Sequence, residues 1–220
     1  GANDSLRATG SQGGDLLSVR GGSSTVPLNV NGEHRVMPPE IRAWLEHLER
    51  IEKKRAELSG DQLSSAIITM TELQMGGSLD ALQSMLSDPG EGGPEPKSPA
   101  ETTKNGFEDY NEAWRKLEDE FASVPPPAEC VPIRDRYNVA LSETGQMIVE
   151  IVSQIANSEN DRKGALNALN KMKGTSEARI GVPSRQTDGL VGDICHKYDT
   201  TKWFSINADF GGGMFGKLGL

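Results

Sequence analysis

The sequence predicts a mainly α fold: a helical bundle of antiparallel amphipathic helices with short extended arms near both termini. Three observations predict it. Apolar residues recur at three- and four-residue spacing over several long stretches, the signature of helices that bury one face. Prolines and glycines fall mostly at the edges of those stretches, where helices start and stop. Alternation, the mark of a strand, is confined to two short segments, and is weak in the second.

Residues 1–32 hold seven of the chain's 25 glycines and read as a Gly/Ser-rich tether. At its end Val26, Leu28 and Val30 alternate with Thr25, Pro27 and Asn29. That is a strand-like arm, which Pro27 restricts to a sheet edge or an extended strap. Residues 36–88 read as an N-terminal helical hairpin region. Its first helix opens at Pro38-Pro39 and ends at Gly60, with Ile41, Trp44, Leu48, Ile51 and Leu58 on one stripe that only Arg55 interrupts. A second helix, capped by Asp61, carries Leu63, Ile67, Met70 and Leu73 and stops at Gly76-Gly77; a third, shorter one starts at Ser78.

Residues 89–106 contain four prolines, four glycines and no large apolar residue, so they read as a linker. Residues 107–206 form a C-terminal bundle region. Phe107, Tyr110, Trp114, Leu117 and Phe121 mark one helix. The longest runs from about residue 133 to 157, with Ile133, Tyr137, Leu141, Ile148, Ile151 and Ile155 on its stripe. Gly145 lies in the middle of that helix and costs about 1 kcal/mol relative to alanine, which points to close packing there. Further helices are expected over 161–173 and 184–198, then a weakly alternating "KWFSINADF" and a glycine-rich tail over 207–220.

Bulk chemistry narrows the function. A net charge of −9 disfavours nucleic acid, which rewards a basic face, and anionic membrane surfaces likewise. No run approaches the length of a membrane-spanning helix. Gly1 in place of methionine reads as the product of processing or of an engineered start, and the tether would suit a stalk between a membrane anchor and a folded body, though it does not itself establish an anchor.

The closest approach to a catalytic signature is Gly211–Lys217, which fits G-x-x-x-x-G-K. A phosphate loop needs a strand before it, a helix after it and Ser or Thr behind the lysine. Here that position is Leu218 and the chain stops two residues later. The three histidines, His34, His47 and His196, show no metal-binding helical spacing, and His47 and Glu46 fall opposite the apolar stripe. Glu46, Glu49, Glu52 and Glu57 read as a solvated face. No catalytic, cofactor or metal residue is assigned, and the chain reads as not an enzyme.

Cys130 precedes the longest helix and Cys195 ends the last one. Antiparallel packing of those helices could bring them within the roughly 4.4–6.8 Å Cα separation of a disulfide. The alternative is two reduced cysteines buried as small hydrophobes.

The second half, on "VPPPAEC", "YNVAL" and "ICHKYDTTKWFSI", resembles a loose group of uncharacterised bacterial helical proteins, several of them predicted to be exported or membrane-tethered. The resemblance implies that Cys130 and Cys195 belong to one architectural pattern and that Tyr137, Tyr198, Trp203 and Phe204 are structural. It carries no activity. The expectation is a non-enzymatic structural or protein-interaction module of the bacterial envelope or exterior, extracytoplasmic. Its partner is another protein or itself, as oligomer or filament, joined through Val26, Leu28 and Val30 at one end and Met214, Phe215 and Leu218 at the other. The alternative is a ligand-binding or sensing bundle with an apolar pocket lined by Trp44, Trp114 and Met147.

Overall fold

A computed structural model describes residues 35–86, 99–158, 160–218 and 220. Over these the chain is mainly helical, and no strand occurs among the described residues. Six α-helices follow one another: α1 (Pro39–Leu86), α2 (Pro99–Ala122), α3 (Val131–Asn157), α4 (Arg162–Ser176), α5 (Val182–Lys197) and α6 (Phe210–Lys217). The arm carrying Val26, Leu28 and Val30 lies outside the described residues.

α1 starts where its prolines place it, with the Pro38 carbonyl accepting from Ile41 and Arg42 at 3.1 Å each. It then runs unbroken for 48 residues, where the sequence suggests three pieces. Gly60 does not stop it: Leu63 and Ala66 beyond it are buried, and that packing outweighs the roughly 1 kcal/mol glycine cost. α2 begins at Pro99, inside the stretch read as linker. It ends at the Pro125–Pro127 run, after Ser123 Oγ donates to the Glu120 carbonyl.

Side-chain pairs set the directions of the helices. Trp44 Nε1 donates to the Val124 carbonyl at 3.2 Å, Lys54 reaches Glu120, and Trp114 Nε1 donates to Gln62 at 2.7 Å. Numbers rise on α1 as they fall on α2. Phe121 meets the Tyr137 ring edge-on at 5.0 Å and Trp114 covers Gly145, so α2 and α3 are opposed as well. A Cβ at Gly145 would come within 2.9 Å of the Trp114 ring, the close approach for which that glycine is needed.

α4 is capped by Asp161, whose Oδ1 accepts from the Gly164 N–H at 2.8 Å. Its last turn widens into a π-helical segment, Glu177–Gly181, before α5 continues the same path. The cause is Pro183, buried in the first turn of α5. It has no N–H to return to the preceding turn and its ring needs room, so the Val182 N–H bonds the Glu177 carbonyl five residues back. α5 closes with Asp199 at φ 48°, the Thr200 N–H bonding the Cys195 carbonyl and the Asp199 N–H bonding that of His196. This is a Schellman motif in which aspartate fills the position usually given to glycine.

Residues 201–209 leave α5 as an extended strap with no ladder partner, where the alternating "KWFSINADF" suggests a short strand. The strap crosses α1 and delivers α6 to α4 and the π segment. The tail is thus not slack. Met214 and Phe215 are 3% and 0% exposed and belong to the central core.

Candidate functional site

The chemistry with most structure behind it lies where the strap crosses α1 and α3. Arg55, the one polar interruption of the α1 stripe, is 1% exposed. Its Nε donates to Glu52 Oε2 at 2.8 Å and its Nη2 to Glu52 Oε1 at 3.0 Å, one turn back on the same helix. Its Nη1 donates to Thr144 Oγ1 at 2.9 Å on α3, and Nη2 also donates to the Asn207 carbonyl at 2.8 Å on the strap. Glu52 in turn accepts from the Tyr137 hydroxyl and from the Asn207 N–H, both at 2.8 Å. One ion pair therefore joins three segments and reads both backbone groups of a single strap residue.

The electrostatics follow from burial. Burial works to lower the Arg55 guanidinium, but Glu52, with Tyr137, outweighs it and leaves the group above its usual value. Burial first, and the Glu52 charge second, push the Tyr137 phenol well above its usual 10.0, so the hydroxyl stays a donor.

The strap has further anchors. Trp203 Nε1 donates to Glu49 at 3.1 Å while Arg42 sits 5.1 Å over the Trp203 ring. Asp188 on α5 accepts from the Ile206 N–H at 2.8 Å and from Lys202 at 2.5 Å. Glu52, which the sequence assigns to a solvated face, is buried, as is His47. His47 Nε2 lies 3.3 Å from the Phe121 carbonyl.

Cys130 and Cys195 are both free and buried; the disulfide drawn from the sequence is not formed. The ends of α3 and α5 do meet there, but through Glu129, which accepts from Lys197 Nζ at 2.5 Å and the Tyr198 hydroxyl at 2.7 Å. Burial, with Glu129 adding to it, pushes the Cys130 thiol up to about 12. Lys197 and Tyr198, through those hydrogen bonds, hold the Glu129 carboxyl below its usual range.

Of the tail residues read as contacts, Met214 and Phe215 face the chain's own core and Leu218 is half-buried against it. Sequence reasoning missed the Glu52–Tyr137–Asn207 junction altogether. Its one visible signal was Arg55 breaking an apolar stripe.

A surface groove of about 590 Å³ lies between α3 and α4, lined by Val149, Glu150, Met172, Thr175 and Arg179. Arg179 there donates to Glu143 at 2.5 Å and to both Glu150 oxygens at 3.1 Å, so its charge is already matched. Among the described residues no group of His, Cys, Asp and Glu is placed to hold a metal, and no helix is long and apolar enough to cross a membrane. No known protein family, curated protein or solved structure matches the chain.

Proposed function

We propose that the chain is a non-enzymatic structural module of the cell envelope or exterior that works through protein–protein contacts, with further copies of itself among its partners. One observation carries the reading: the buried Arg55–Glu52 pair is committed to its neighbours and to holding the strap. Arg55, Glu52, Tyr137 and Thr144 bond one another and Asn207, so the most buried polar chemistry among the described residues is spent on structure. Support for the extracytoplasmic setting is compositional: the Gly/Ser-rich 1–32 segment suits a tether. Head-to-tail repetition of such contacts would build a filament.

The packing weighs against the apolar-pocket alternative. Trp44, Trp114 and Met147 are all buried, the two indoles with their N–H groups engaged and Gly145 pressed on Trp114. Tryptophan fluorescence titrated with fatty acids and aromatic ligands tests the choice. The module reading expects no saturable quenching; a saturable response reporting entry beside Trp44 or Trp114 would contradict it.

A further inference from the structure

We infer that the slot filled by α6 is an exchangeable docking site, and that its partner in assembly is the α6 of a second copy. The inference rests on the self-association proposed above and gives it a surface.

α6 is held by side chains, not by its own helix. Phe210–Lys217 reads FGGGMFGK, so four of eight residues are glycine, the weakest helix former after proline. Asp209, at its start, supplies no side-chain cap. What seats it is the adjacent pair Met214 and Phe215, about 100° apart on the helix and both buried, with Leu218 and Leu220 half-buried behind them. Its principal neighbours are α4 and the π segment.

Two of the glycines are not required by packing. A Cβ added at Gly213 or Gly216 would meet nothing within 4 Å. Alanine would fit at both and strengthen the helix, so the tail is weaker than its seat demands. The strap before it is the opposite: Asn207 is fixed through both backbone groups, and Ile206 through its N–H. Undocking therefore stops at Asn207. Residues 208–213, fully extended, span about 20 Å and let the released helix reach a neighbour.

The occupant follows from the same geometry. The slot is shaped to Met214 and Phe215, and every copy of the chain carries that pair on a tether. Reciprocal exchange closes a dimer; one-way exchange propagates.

The test uses the full chain and a fluorescent peptide of residues 208–220. Anisotropy should rise saturably with chain concentration, and the peptide carrying Met214→Ala and Phe215→Ala should not bind. A chain with Gly213→Ala and Gly216→Ala holds its own α6 closed and should bind the peptide about tenfold more weakly. Unlabelled peptide should lower the light-scattering mass of the concentrated chain. Absence of saturable binding, equal uptake by the Gly→Ala chain, or a mass indifferent to the peptide would each overturn the inference. An association that ignores the peptide leaves the module reading standing, since other surfaces would then carry it. Ligand entry beside Trp44 or Trp114 would sink that reading without touching this one.

Discussion

Replacing Arg55 with methionine removes the cation at the centre of the molecule while keeping most of the side-chain volume. Four hydrogen bonds of 2.8–3.0 Å disappear, to Glu52 twice, Thr144 and the Asn207 carbonyl. The larger effect is on what remains: a buried Glu52 carboxylate without its counter-charge. Breaking one side of a buried pair costs about 3–5 kcal/mol, against about 1 kcal/mol for an ordinary hydrogen bond. For a domain of this size that is a fall in Tm of roughly 6–20 °C. Adding Glu52→Gln removes the stranded charge yet keeps an acceptor for the Tyr137 hydroxyl or the Asn207 N–H. The double variant should therefore be more stable than Arg55→Met alone. Urea unfolding followed by circular dichroism gives all three values. A single-variant loss below about 1 kcal/mol, or strictly additive losses, would refute a charge-locked junction.

Other consequences follow from neighbouring features. Gly145→Ala should destabilise despite alanine's better helix propensity, by about 1–3 kcal/mol before a gain of up to about 1, because its Cβ meets the Trp114 ring at 2.9 Å. Stability should fall in alkali. Burial raises the Cys130 thiol from 9.0 to about 12 and the Tyr137 phenol well above 10.0. Each folded value exceeds the unfolded one, so each contribution is whole below the unfolded value and is lost as pH climbs toward the folded one. Urea midpoints should therefore start to drop near pH 9, by about 1.4 kcal/mol per pH unit for each participating group. A flat profile from pH 8 to 11 would contradict that assignment. In native protein at pH 8, Cys130 and Cys195 should both resist a thiol reagent, and both should react once the chain is unfolded. Immediate native labelling would mean they are not buried.

Periodicity made much of this fold legible. The stripe from Ile133 to Ile155 locates α3 within two residues, because a helix buried along its length repeats its apolar positions regularly. The strand-like reading of residues 202–210 failed because the strap's backbone groups at Ile206 and Asn207 bond the side chains of Asp188, Glu52 and Arg55 instead of a neighbouring strand. α1 looked like three helices because Gly60 and Gly76-Gly77 are local stop signals, and local signals yield to tertiary packing. The polar junction has no period at all: Glu52, Tyr137, Thr144 and Asn207 come from three segments and converge only in space. In the tail, the sequence marks Met214 and Phe215 as contact residues, but only the fold shows that they pack on the chain's own core.

Light scattering of the full chain across a concentration series tests the central claim most directly. A mass climbing from 23.7 kDa toward its multiples as concentration rises is the result expected of a module that meets its own kind. A mass fixed at 23.7 kDa over the whole series would contradict it.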